Sequence, residues 1–349
     1  MPLHVEYFSD FNMIRKRIIL IFFLGLSICL DISVKAICGN EISDPEYHID
    51  KTLIIPGMIM SDGPVVMAPE VVTIPLKRVG RLFMIEARID NETGNFLFDT
   101  GSQQLVLNSI YFRKYMSADA VTGGGVTGVV GAVSRTRVKH LNVSGILNDD
   151  IMADVTDLGH LENRRGVKIF GLFGFAIFKN LEVVIDANHN QLKLYRLERN
   201  GKRHSSTDSE FPFDLTQKAE LYHDILFLQA SIGGKLLDFC FDTGAESNVI
   251  SNWLPGKVMD KVTIERRSTL NGVGSARADV LYGKLNDFII GNRQIPGMQV
   301  IITSLENMSV SFDHSLDGML GFDFLEQGII SVNLMTKEVK MAFVKGGKP

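Results

Sequence analysis

The sequence predicts a strand-rich globular protein made of two copies of one β unit, and three observations carry that reading. The 349 residues are 45% hydrophobic and 22% charged, with 32 glycines, which is ample apolar material for a core interrupted by many turns. One stretch occurs twice, as Phe98-Asp99-Thr100-Gly101-Ser102 and Phe241-Asp242-Thr243-Gly244-Ala245. A second signature follows each copy, as Gly171-Leu172-Phe173-Gly174-Phe175 and Gly318-Met319-Leu320-Gly321-Phe322. The spacings agree: 174 − 99 = 75 residues in the first half and 321 − 242 = 79 in the second. Aligned without a gap at an offset of 242 − 99 = 143, Leu82–Asn108 and Ile225–Ser251 also share Ala87/Ala230, Ile89/Ile232, Phe96/Phe239, Phe98/Phe241 and Val106/Val249. One Asp-Thr-Gly is an ordinary hairpin end. Two in matched contexts form an internal repeat, and the two Asp residues are expected to meet.

Composition also excludes some functions. A formal net charge of −4 gives no basic footprint for nucleic acid, and the chain has neither a phosphate-cradling Gly-Lys motif nor a His/Cys cluster at metal-ligand spacing. No cofactor and no metal are expected. The chain opens with a leader over residues 1–36, with Met13 as an alternative start: Arg15, Lys16 and Arg17 precede an apolar run from Ile18 to Leu30, and Val34-Lys35-Ala36 resembles a cleavage site. Export to a periplasm or the outside is the expectation. The apolar run is short for the roughly 20 residues of a spanning helix, so membrane contact arises only if the leader stays uncleaved. Of three cysteines, Cys29 lies in the leader, Cys38 just past the cut, and Cys240 two residues before Asp242. A disulfide framework is thus excluded, and Cys240 reads as a buried packing residue.

Residues 37–70 mix Pro, Gly and Met without a clean period and read as an N-terminal arm or a propeptide. The first lobe is placed at 71–195. There Leu82 to Ile89 is a strand, Asp90 to Gly94 the turn, and Asn95 to Phe98 the return strand that delivers Asp99, with Phe96 and Phe98 on one face and Leu97 and Asp99 on the other. Thr122 to Gly131 is Gly-rich, with Gly123, Gly124 and Gly125 beginning 123 − 99 = 24 residues after Asp99. Glycine gives such a segment the turn angles and low bulk of a hairpin tip. Gly171 to Tyr195 closes the lobe, ending in a hairpin around Asn188-His189-Asn190.

A charged, Ser-rich linker, 196–210, follows, and its Arg199, Lys202, Arg203 and His204 are read as solvated. The second lobe, 211–349, restarts with a strand from Ile225 to Ile232, a Gly233-Gly234 turn, and Leu237 to Phe241 running into Asp242. Its Gly-rich segment, with Gly272 and Gly274, opens at Leu270, 270 − 242 = 28 residues on. The strands at Gly328–Val332 and Glu338–Phe343 repeat the end of the first lobe.

An apolar strand, Asp-Thr-Gly, a Gly-rich hairpin some two dozen residues later and an apolar-apolar-Gly segment together resemble the pepsin/retropepsin clan of aspartic proteases, over roughly Val71 to Phe343. The resemblance implies an all-β fold of two pseudo-twofold-related barrel lobes with the active-site cleft between them. It implies an aspartic endopeptidase, a hydrolase that attacks peptide or protein substrates with water activated by Asp99 and Asp242. Thr100 and Thr243 would then bond across the pseudo-twofold, and the Gly101 and Gly244 amides would hold the carboxylates coplanar. Gly123, Gly124 and Gly125, with Gly272 and Gly274, would belong to flaps. Neither flap segment has the Tyr of pepsin-like flaps, and Ala245 follows the second Gly as in retropepsins, so the chain is similar to two fused retropepsin-type lobes. The alternatives on the same fold are a catalytically silent peptide binder and a structural envelope protein.

Overall fold

The computed structural model describes residues 19–20, 65–66, 70–116, 121–125, 128–204, 212–271, 277–295, 297–312 and 314–344. The expected leader lies outside them except for Ile19–Leu20, which pair in parallel with Gly123–Gly124. The arm is described only at Glu70 and at Val65–Val66, which pair with Ile146–Leu147. Among the described residues no helix is long and apolar enough to cross a membrane.

The protein is mostly β, with two barrel-like lobes. In the first, Leu82–Ile89 and Glu92–Phe98 form a hairpin. Gly171–Phe173 then runs parallel to Glu92–Phe98 and antiparallel to Leu105–Asn108. Leu105–Asn108 lies parallel to Ile146–Thr156, which is antiparallel to Gly128–Val143. The end of that last strand returns to the first, Arg88 opposite Asn142, and closes the ring. The turn is shorter than the sequence reading of Asp90–Gly94: pairing begins at Glu92, because Asp90 takes a φ of 49° and its backbone N–H bonds to His140 O, so two residues suffice to reverse the chain. Alternation holds where the strand approaches the site. Phe96 and Phe98 enter one cluster with Phe173, Phe175 and Phe178, while Leu97 enters another with Leu82, Met84, Val106 and Leu172.

The second lobe repeats this strand by strand. Leu82–Ile89 corresponds to Ile225–Ile232 at an offset of 225 − 82 = 143, and Leu181–Asp186 to Gly328–Asn333 at 328 − 181 = 147. The four extra residues enter after Ser251, since Val300, paired with Asn248, corresponds to Ala153, paired with Leu105, at 300 − 153 = 147. Two strands differ. Gly128–Val143 and Ile146–Thr156 are continuous, whereas their counterparts break, into Arg277–Leu285 with Phe288–Ile290 and into Arg293–Ile295 with Met298–Thr303. At the first break Asp287 accepts the Gly233 N–H (3.0 Å) and Asn286 donates to Thr263 Oγ1 (2.9 Å), so side chains take over from the ladder.

The sequence reading has each terminal hairpin closing its own lobe. The hairpins form, Leu181–Asp186 with Gln191–Arg196 and Gly328–Asn333 with Glu338–Phe343, but they pair with each other, Val184 opposite Ser331. With Val71–Pro75 on one edge and Leu215–Lys218 on the other, they make one six-stranded sheet, three strands from each half. Leu181–Asp186 is buried at every position, so it needs a partner on both edges, and its repeat supplies the second. This sheet, shared by both halves, ties the lobes together. Arg203, from the segment read as a solvated linker, folds onto it: the guanidinium makes a two-pronged bond to Glu182 (2.8 and 2.9 Å) and stacks 3.6 Å from the Tyr195 ring centroid.

Candidate active site

Each Asp is delivered by the same local device. The Asp99 N–H bonds to Phe173 O and the Asp242 N–H to Leu320 O, both at 2.9 Å, so the apolar-apolar-Gly segments receive the strands as they end. Gly174 and Gly321 must lack a side chain for this. A Cβ on Gly174 would stand 2.7 Å from Asp99 O and 2.5 Å from Ser102 O, and one on Gly321 2.6 Å from Ala245 O and 2.7 Å from Ser247 O. The chain then turns through Thr-Gly, and the two turns interlock. Thr100 N–H donates to Thr243 Oγ1 (3.1 Å) and Thr243 N–H to Thr100 Oγ1 (3.0 Å). Each hydroxyl donates onward across the junction, Thr100 to Phe241 O (2.8 Å) and Thr243 to Phe98 O (2.6 Å).

This clasp sets the carboxylates side by side. Gly101 N–H lies within reach of both Asp99 Oδ1 (3.1 Å) and Asp242 Oδ1 (3.3 Å), and Gly244 N–H donates to Asp242 Oδ1 at 2.7 Å. Asp99 is fully buried and Asp242 is 3% exposed. The environments are unequal. Burial raises the Asp99 carboxyl well above its ordinary value of 3.8, the Asp242 charge raises it further, and the Gly101 amide only partly opposes them. Burial also raises Asp242, but the hydrogen bond from Asp99 and the amides of Gly244, Gly101 and Ala245 hold it back. Two carboxyls this close share one proton over a wide pH range. The donors gathered on Asp242 favour its charged form over that of Asp99. Asp99 Oδ2 is buried and has no hydrogen-bond partner among the described residues.

Gly123, Gly124 and Gly125 fall on the strand Val121–Gly125, paired with Gly128–Val143 in a hairpin. The helix Glu306–Phe312 of the second lobe lies against that strand. Leu270 and Asn271 end the corresponding strand in the second lobe, and Gly272 and Gly274 lie outside the described residues. Among the described residues no group of His, Cys, Asp or Glu is arranged to hold a metal. Cys240 is fully buried and its thiol is pushed well up by that burial, as befits a packing residue.

Three features around the pair lie beyond the sequence motifs. Two short helices, Gly159–Arg165 and Glu306–Phe312, occupy equivalent places at an offset of 306 − 159 = 147. The first had a legible stop, Gly166, which takes a φ of 66° and caps it. The second feature joins the lobes at the Asp242 loop: Arg165 pairs with Glu246 at 2.6 Å, while Arg81 reaches Asp323 at 2.8 Å and Glu246 O at 2.9 Å. The third is a buried Asp154, bonded by Gln104 and by Arg135. Ion pairs between residues so far apart in sequence leave no local signal.

Fold and site together define a class: a duplicated β protein in which two Asp-Thr-Gly loops clasp through their threonines and present two buried, adjacent carboxyls. Comparison of the chain with protein families agrees. A family described as aspartyl protease matches residues 228–324, from Leu228 in the strand Ile225–Ile232 through Asp242 to Phe324. No curated protein matches the chain.

Proposed function

We propose that the chain is an aspartic endopeptidase and that Asp99 and Asp242 are its catalytic pair. One observation carries the reading: the reciprocal Thr100–Thr243 clasp brings two carboxyls, 143 residues apart, under a shared Gly101 N–H in a buried setting. In aspartic proteases such a pair shares a proton. Asp242, richer in amide donors, acts as general base on a water. That water attacks the scissile carbonyl, and Asp99 gives its proton to the developing oxyanion. No covalent intermediate is needed. Thr100 and Thr243 support the loops and do no chemistry. The hairpin at Gly123–Gly125 serves as a flap over a bound peptide, and substrates are peptides or unfolded proteins. The leader directs export, with membrane attachment only if it is retained.

The test is hydrolysis of an unfolded protein by the purified mature chain at acid and neutral pH, alongside Asp99→Asn and Asp242→Asn. Asn keeps the shape but cannot ionise or pass the proton, so each single variant should fold and lose hydrolysis by several orders of magnitude. A pepstatin-like transition-state mimic should inhibit the parent protein. Either variant turning over at the parent rate would sink the shared-proton mechanism.

A further inference from the structure

Asp154 is wholly buried in the first lobe, on the strand Ile146–Thr156. Backbone pairing puts it opposite Val106, on the strand that follows the Asp99 loop, and opposite Arg135, on the outgoing strand of the Gly-rich hairpin. Its two oxygens are taken by two different side chains. Gln104 Nε2 donates to Oδ2 and Arg135 Nε donates to Oδ1 at 3.2 Å. Gln104 belongs to the Asp99 loop itself: it stands 104 − 99 = 5 residues beyond Asp99, and its main-chain carbonyl accepts the Ser102 hydroxyl at 2.8 Å. The carboxylate therefore anchors one side chain from the Asp99 loop and one from the hairpin stem, where those elements meet.

Both anchored side chains remain accessible. Arg135 is 40% exposed and Gln104 is partly exposed. Because the bonds to Asp154 use Nε and Nε2, the atoms Asp154 does not engage are the Nη1 and Nη2 donors of Arg135 and the Oε1 acceptor of Gln104. The repeat does not reproduce this. Ser247, Ile301 and Tyr282 stand at the equivalent positions, offset by 247 − 104 = 143, 301 − 154 = 147 and 282 − 135 = 147, and the last two are buried. A donor fork beside an acceptor, with Asp154 and Arg135 cancelling in charge, matches a carboxamide, which accepts from one and donates to the other. A substrate carboxylate would meet the Gln104 carbonyl and the buried Asp154 charge. A hydrocarbon would leave the donors unpaired, which polar sites reject strongly.

Resting on the endopeptidase reading, we propose that Gln104 and Arg135, positioned by Asp154, form a specificity subsite for an Asn or Gln side chain of the substrate on the first-lobe side of the cleft. The test profiles cleavage of a randomised peptide library by the full chain. It then measures kcat and KM for two peptides that differ only by Gln or Leu at the selected position, in the parent protein and in Q104A, R135M and D154N, each checked for a native melting transition. The parent should select Asn and Gln at one position. In each variant the Gln-over-Leu ratio of kcat/KM should fall about tenfold, mainly through KM of the Gln peptide. Q104A alters an accessible side chain and keeps the test open if D154N does not fold. An unchanged ratio in folded variants, selection of Asp or Glu instead, or a KM rise equal for both peptides would each overturn the subsite, the last by assigning these groups to main-chain binding. A parent that cleaves without side-chain preference removes this inference alone, whereas a parent that cleaves nothing removes the endopeptidase reading with it.

Discussion

Removing the Thr243 hydroxyl tests whether the clasp is the device that joins the Asp loops. In Thr243→Ala the buried Thr100 N–H loses its acceptor at 3.1 Å and the Phe98 carbonyl loses a donor at 2.6 Å. A buried polar group left unpaired costs about 1–3 kcal/mol, so the two together come to roughly 2–6 kcal/mol. Against a total stability of about 5–15 kcal/mol for a folded protein, that is a large fraction. Thr243→Ser keeps the oxygen and should stay within about 1 kcal/mol of the parent, because only a methyl is lost. Thr100→Ala should match Thr243→Ala, since its bonds to Thr243 N–H and Phe241 O mirror them. The two hydroxyls make four separate bonds, two each, so the double variant should cost about the sum, and any departure from it measures coupling through the shared loop junction. Urea unfolding followed by circular dichroism is the assay, because the single Trp253 is 76% exposed and reports poorly on the core. A Thr243→Ala protein with parental stability, or a Ser variant as unstable as the Ala, would refute the assignment.

The Asp pair also sets a pH dependence. Both carboxyls are raised above 3.8 in the folded protein, so the fold binds their protons more tightly than the unfolded chain does. Their contribution to stability is complete below about pH 4 and is lost as pH rises through the raised values. Asp99→Asn should therefore flatten the loss of stability above pH 4 and melt higher than the parent at neutral pH; melting curves at several pH values check it, and a variant with the parental slope would contradict the shared burial. Glu182 has the opposite sign. Burial would raise it, but the hydrogen bonds from Arg203 and Ser331 and the Arg203 charge outweigh burial and lower it, so its contribution is present at neutral pH and fades as acid protonates it. Arg203→Met removes the two-pronged charge partner of Glu182, 7% exposed at its side chain, and should destabilise by about 3–5 kcal/mol, measured by urea unfolding; a loss under about 1 kcal/mol would show that the segment after Arg196 does not secure the shared sheet.

What was legible in the sequence was what repeats locally. Two Asp-Thr-Gly copies, two apolar-apolar-Gly segments and the alternation of Phe96, Leu97 and Phe98 each carry their structure within a few residues, and the strands stand where those patterns put them. The pairing of the terminal hairpins was not legible. Leu181–Asp186 reads equally well as the edge of its own lobe, and only its burial at all six positions shows that it has a neighbour on each side. The ion pairs of Arg81 and Arg165 were hidden for the same reason: a surface-type residue acquires a buried partner only when the second lobe arrives. Asp154 had a faint signal, a charge amid apolar strand residues, but its partners Gln104 and Arg135 come from two other strands of the barrel.

The duplication also explains why two equal motifs yield an unequal pair. The clasp and the apolar-apolar-Gly supports obey the pseudo-twofold, so they cannot decide which Asp holds the proton. The decision falls to whatever breaks the symmetry. Gly101 N–H reaches across to Asp242 as well as to its own Asp99, whereas Gly244 N–H bonds only its own Asp242. Around the loops the break continues on the same side. Arg81 and Arg165 fasten the Asp242 loop through Glu246 and Asp323, while the matching positions beside Asp99, Gln103 and Ala176 at offsets of 246 − 103 = 143 and 323 − 176 = 147, carry no charge. Between two identical lobes nothing would distinguish one Asp from the other. In the proposed reading, Asp242 serves as the base in the loop fastened by two ion pairs, while the Asp99 side carries Gln104 and Arg135 around Asp154.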